Sequence, residues 1–171
     1  MTSSEDLEGA PDLGVLMRGA GFTEARLTRV FDHPQAKIWA ALTRPERIVE
    51  WLAPGEIAST VGGPARLNFV DSGTVIDSQV TAYEAPRLLE YSWSGPGEPL
   101  RPLRWETAAE GEGTRLTLTL RVPDGEDVAR SCAGWEAHLE MLAAALEGVP
   151  IKFPFDRFKA TREAYKGLLP A

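Results

Sequence analysis

The feature that most constrains this chain is a change of hydrophobic period in its C-terminal half. Leu116, Leu118, Leu120 and Val122 alternate with Arg115, Thr117, Thr119 and Arg121. Successive side chains of a strand point to opposite faces, so this run has one buried and one wet face, as in an antiparallel sheet covered on one side. After Pro123-Asp124-Gly125 the spacing lengthens. Val128, Cys132, Trp135, Leu139, Leu142 and Leu146 step by four, three, four, three and four residues. These positions make one stripe on a helix of about 20 residues, which Gly148 and Pro150 end. A sheet with one apolar face, followed at once by a helix with one apolar stripe, buries both by laying the helix across the sheet.

The rest of the chain is consistent with that arrangement. Ala25–Phe31 is a β-friendly run ending at Asp32-His33-Pro34. Pro34 suits the first position of a helix, where its missing donor costs nothing, and Ile38, Trp39 and Leu42 follow at helical spacing. Thr43-Arg44-Pro45 stops that helix and starts a second, with Ile48, Trp51 and Leu52 on one face and Pro54-Gly55 at its end. From Glu56 to Val122 the period is two, broken by turn residues at 71–73, 84–87, 94–99 and 110–113 into about six strands. The fold class is therefore α+β: a curved antiparallel β-sheet wrapped around a long C-terminal α-helix, with two short helices after the first strand. Residues 1–22, with the acidic Glu5, Asp6 and Glu8, read as a flexible N-terminal arm. The domain proper spans 23–149. Residues 150–171 form an extension whose Phe153, Phe155, Phe158 and Tyr165 are too apolar for a free end, so it docks on the domain or on a partner subunit.

Charge and composition exclude several functions. Twenty-five acidic against 18 basic residues leave a net charge of −7 with no basic cluster, so nucleic acid is not an expected partner. Apolar residues are 43% of the chain, which excludes wholesale disorder, and no stretch is long and apolar enough to span a membrane. The N-terminal stretch has neither the basic nor the apolar segment of a signal peptide, so the expected location is cytoplasmic. One cysteine, Cys132, and two histidines, His33 and His138, supply no metal ligand set and no catalytic triad. No catalytic residue, metal or cofactor is assigned. Cys132 lies on the apolar stripe and reads as a small hydrophobe, and His33 as a surface or capping residue. Gly62-Gly63-Pro64 is a turn, because it lacks the Lys-Ser/Thr of a phosphate loop.

The segments RVFDHPQAKIWAALTRPERIVEWLAP (29–54), GGPARLNFVDSG (62–73), YEAPRLLEYSW (83–93) and GWEAHLEMLAAALEG (134–148) carry a resemblance. In them the chain resembles the START-like (SRPBCC) superfamily and, within it, homologues of the activator of heat-shock-protein-90 ATPase. The likeness covers about residues 25–148, with His33 in place of the usual alanine before proline. It implies the helix-grip fold, with an apolar cavity between sheet and helix that superfamily members use for hydrophobic small molecules.

On that footing, the residues expected to line the cavity are Phe69, Trp93, Trp105, Leu118, Trp135, His138, Met141 and Leu142. Aromatic walls with a few polar anchors are how a pocket grips an apolar ligand, and equally how a core is filled. Asp77 or Gln79, on the strand face of Val75 and Tyr83, would orient a ligand if that face is the inner one. The expected function is non-catalytic binding of a hydrophobic small molecule by a carrier or sensor, as a monomer or homodimer. The alternatives are a cyclase- or hydrolase-type enzyme on a polyketide-like substrate and a protein that modulates a chaperone ATPase.

Overall fold

The computed structural model describes residues 13–169; the acidic positions Glu5, Asp6 and Glu8 lie outside the described residues. Its strands are β1 (Val15–Arg18), β2 (Phe22–Phe31), β3 (Gly55–Ile57), β4 (Pro64–Phe69), β5 (Thr74–Glu84), β6 (Leu88–Ser92), β7 (Pro102–Glu110) and β8 (Gly113–Pro123). They form one antiparallel sheet in the order β1-β2-β8-β7-β6-β5-β4-β3. The helices are α1 (Gln35–Thr43), α2 (Pro45–Trp51), α3 (Val128–Leu146) and α4 (Phe155–Lys166). After β2 the chain passes through α1 and α2 to the far edge of the sheet. It then returns strand by strand until β8 pairs with β2, setting Ala25 opposite Leu120 and Leu27 opposite Leu118. The alternating residues of β8 and the stripe of α3 meet in a single core with Leu103, Trp105, Leu89, Tyr91 and Leu67. This is the helix-grip fold, and among the described residues no helix is long and apolar enough to cross a membrane.

Helix α3 is held at both ends by local chemistry. Asp127 caps its start by accepting the Arg130 N–H at 3.0 Å. At the other end Gly148 adopts φ +78, a left-handed conformation that suits glycine. That turn lets Gly148 N–H reach the Ala145 carbonyl and Val149 N–H the Ala144 carbonyl, each at 3.0 Å, satisfying the last carbonyls of the helix.

Two parts of the structure differ from the sequence reading. Residues 13–22 are not a loose arm: β1 pairs with β2, with Val15 opposite Arg26 and Arg18 opposite Thr23. Four residues are too few to show alternation, and β1 is held by backbone pairing and by packing of Leu13 and Leu16 on the core. The second difference lies in β5, whose register shifts between Val80 and Ala82. One extra residue there reverses the side-chain parity. Ile76 and Val80 face inward before the bulge, while Tyr83, opposite the buried Leu89, faces inward after it. Asp77 and Gln79 share parity with Tyr83 but precede the bulge, so they point to solvent, where Asp77 pairs with Arg66 at 3.2 Å. Neither orients a ligand inside.

The C-terminal extension lies against α3. Tyr165 is 0% exposed; its hydroxyl donates to Glu136 Oε2 at 2.5 Å and accepts the Gly14 N–H at 2.7 Å. The other carboxylate oxygen of Glu136 is held by Arg29, which sits on the inner face of β2 between Leu27 and Phe31. Glu136, 5% exposed, thus ties together β2, α3, α4 and the entry to β1. Burial and the Glu136 carboxylate together keep the Tyr165 phenol protonated far above its usual range. Gly14 is needed at this junction, because a Cβ there would lie 2.6 Å from the Arg26 carbonyl oxygen and 3.1 Å from the Tyr165 hydroxyl.

Candidate functional site

The interior between sheet and helix is filled by aromatic rings in edge-on contact. Trp51 meets Trp105 at 5.8 Å between centroids, Trp105 meets Trp135 at 5.5 Å, and Trp135 meets Trp93 at 4.7 Å. Trp93 then meets Phe69 at 5.8 Å. Trp51 sits at the deep end with its indole N–H satisfied by the Ala41 carbonyl at 2.8 Å. At the other end stand the rings of Phe69, Trp93, Trp135 and His138, Trp135 buried and the other three partly buried. They form the apolar part of an open cleft of about 480 Å³ between the β4–β5 turn, the segment after β6 and the N-terminal half of α3. The volume lies in the range of small-molecule sites.

Four of the eight residues expected to line a cavity come together here: Phe69 from β4, Trp93 just after β6, and Trp135 and His138 from α3. The others are elsewhere. Trp105 and Leu118 are 1% and 0% exposed and belong to the packed layer behind the cleft. Leu142 is buried one helical turn beyond His138 and borders a separate groove of about 640 Å³ against α1 and α2. Met141 is half-buried against the core and does not reach the cleft. The reason is geometric: an inward direction puts a side chain between the layers, but only those at the open end of the layers meet unfilled space.

His138 has a defined tautomer. Its Nδ1 lies 3.1 Å from the Trp51 carbonyl oxygen, which can only accept, so Nδ1 carries the hydrogen and Nε2 the lone pair. Burial lowers the His138 pKa, and the carbonyl opposes that shift without reversing it. Nε2 has no hydrogen-bond partner among the described residues and is not sealed from solvent. The ring also packs on Phe153 at 5.5 Å, and Phe153 in turn on Phe155 and Phe158, so the C-terminal extension supports the floor of the cleft. Of its four aromatic side chains Phe155 stays outside, 64% exposed.

The rim is polar and was not assigned from sequence. Ser72, Thr74, Glu126, Asp127, Arg130, Ser131 and Gly134 line it. Both carboxylates are taken. Arg101 grips Glu126 with two parallel bonds, at 2.8 and 2.9 Å. Asp127 accepts the Arg130 backbone N–H and, at 2.5 Å, an Arg162 N–H; together these hold its carboxyl below the usual range. The Arg130 guanidinium makes no hydrogen bond or ion pair among the described residues. A signal for these positions was present in the sequence: Asp127, Ser131, Gly134 and His138 step by four, three and four residues, with Arg130 three from Asp127 and four from Gly134, a strip beside the apolar stripe.

The structure offers little to nucleophilic or metal chemistry. Cys132 is buried and its thiol is pushed up to about 12, chiefly by burial. Among the described residues no three His, Cys, Asp or Glu side chains cluster as a metal site would require. His33 lies outside the cleft, with Nε2 2.5 Å from Glu147.

Similarities to known proteins agree with this architecture. The family model described as activator of Hsp90 ATPase homolog 1-like protein matches residues 32–147. No protein of curated function matches by sequence. CalU16 from Micromonospora echinospora has a similar crystal structure, with a TM-score of 0.76 and 23% identity, covering 93% of this chain and 96% of that one. The solution structure of the Bordetella parapertussis BPP1335 protein has a TM-score of 0.70 and 26% identity, covering 94% and 93%. DynU16, from the dynemicin biosynthetic locus, is 30% identical with a TM-score of 0.67 over 74% of this chain, which spans about half (48%) of DynU16.

Proposed function

This chain belongs to the activator of Hsp90 ATPase homolog 1-like family, and we propose that it binds a hydrophobic small molecule, without chemistry, in the aromatic cleft. The observation that carries this reading is the room left at Gly134. Glycine inside a helix costs about 1 kcal/mol relative to alanine, and is usually kept where a neighbour crowds it. Here a Cβ would meet nothing within 4 Å. Packing therefore does not require a glycine at 134, and the absence of a side chain there leaves this wall of the cleft open. The place of DynU16 in a biosynthetic locus supports an occupant of small-molecule size.

The test is uptake of a neutral apolar fluorophore, N-phenyl-1-naphthylamine, together with native mass spectrometry of the freshly purified protein. One-to-one uptake, or an excess mass lost on denaturation, is expected. Gly134→Leu should abolish uptake without lowering the melting temperature, because it fills the cleft and improves helix propensity. If the wild-type protein takes up no probe and carries no excess mass, or if Gly134→Leu binds as well as wild type, the reading is wrong.

A catalytic use of the same cleft has one observation in its favour: the neutral His138 ring, held by the Trp51 carbonyl, offers Nε2 as a base. Loss of turnover with retained binding in His138→Ala would establish it.

A further inference from the structure

Among the described residues that line it, the cleft joins an apolar floor to one charged side chain without an ion pair, the exposed Arg130, and this defines its occupant more narrowly. Resting on the binding role argued above, we propose that the ligand is an aromatic molecule bearing an anionic oxygen group, and that Arg130 holds that group.

Three observations converge. The floor is made by the aromatic side chains Phe69, Trp93, Trp135 and His138, which suits a flat aromatic body. At the rim the carboxylates are neutralised: Glu126 by both arms of Arg101, and Asp127 by Arg162 and the Arg130 backbone. A cationic ligand would have to displace those partners. The Arg130 side chain is the charged group left over, and the adjacent Ser131 adds a hydroxyl on the same wall. At 1.5 Å rise per residue, Arg130 and the floor residue Trp135 are separated by about 7.5 Å along α3. Two fused rings laid against Trp135 therefore bring an attached anionic group toward the Arg130 side chain.

The guanidinium presents a planar fork of donors that matches a carboxylate or sulfonate. It does so in a chain of net charge −7, whose overall field repels anions. That field is screened beyond about 8 Å at physiological salt, so at the cleft mouth the local Arg130 charge outweighs it.

The experiment compares three probes of one shape: 2-naphthoate, neutral 2-naphthylmethanol and cationic 2-naphthylmethylammonium. Binding is read by the fluorescence of the wall residues Trp93 and Trp135. The expected order is naphthoate tightest, by about tenfold over the alcohol, with the ammonium weakest. Arg130→Gln should bring naphthoate down to the affinity of the alcohol, Arg130→Lys should recover part of the gap, and 0.5 M NaCl should narrow it. If naphthoate and alcohol bind equally, or if the preference survives in Arg130→Gln, the anionic assignment is overturned while the binding role stands. If no probe binds, the binding role fails and this assignment fails with it.

Discussion

Trp135 and Glu136 are neighbours in sequence and equally buried, each 5% exposed, yet they serve opposite flanks of α3. On the Glu136 flank each carboxylate oxygen has a partner: Arg29 on one, the Tyr165 hydroxyl on the other, with the Gly14 N–H closing the network. On the Trp135 flank the polar groups around the rings, Arg130 and Nε2 of His138, have no partner among the described residues. A folded protein satisfies its buried polar groups almost completely. The Glu136 side is therefore a closed structural joint, whereas on the Trp135 side the exposed Arg130 guanidinium and the solvent-reached Nε2 of His138 are bonded to no other described residue. Equal burial of two adjacent residues does not mean equal purpose. What separates them is whether their surroundings are complete.

Breaking the joint should cost far more stability than damaging the cleft. Arg29→Met leaves Glu136 buried and unpaired and is expected to destabilise the fold by about 3–5 kcal/mol in urea unfolding. A smaller loss than that of the cleft variants below would mean the joint is not structural. Tyr165→Phe removes one hydroxyl from the same network and should cost about 1–3 kcal/mol. It should also raise hydrogen exchange in β1 more than in β8, because Gly14 loses its acceptor. On the other flank, Trp93→Ala removes a half-buried ring in contact with Trp135 and Phe69. It should cost only about 1–2 kcal/mol while weakening uptake of an apolar fluorophore at least tenfold. Unchanged uptake would remove the functional side of the contrast.

The smallest effect is a pH dependence. The folded-state pKa of His138 lies below the ordinary value because burial disfavours its charged form. The unfolded chain therefore binds the proton first as pH falls. Stability from this residue is complete above about pH 6.5 and is lost as pH drops from there through the lower folded value. His138→Gln should flatten that part of the stability–pH curve, measured by thermal unfolding between pH 7 and 5. An unaltered curve would mean that His138 is as open to water as the rim.

Much of the fold was readable because strand and helix periods are local. The alternation of β8, the stripe of α3 and the two proline-started helices each depend on residues within a few positions of one another. The face of β5 was not readable, since the single extra residue between Val80 and Ala82 reverses parity and leaves no mark in composition. Neither was β1, whose four residues gain their order from β2. The candidate site was readable in part. Inward direction marked Phe69, Trp93, Trp135 and His138, but it marked Trp105, Leu118 and Leu142 equally.

The sequence by itself determined the α+β class, the order of elements, the long helix and the aromatic content of its interior, because side-chain direction along a strand or helix repeats with a fixed period. Only the tertiary structure decided which aromatic rings are covered and which are left at an open end. It alone brought Arg29 to Glu136 and Tyr165 to Gly14. Those pairings join residues 107 and 151 positions apart, and no local period encodes a distance of that kind.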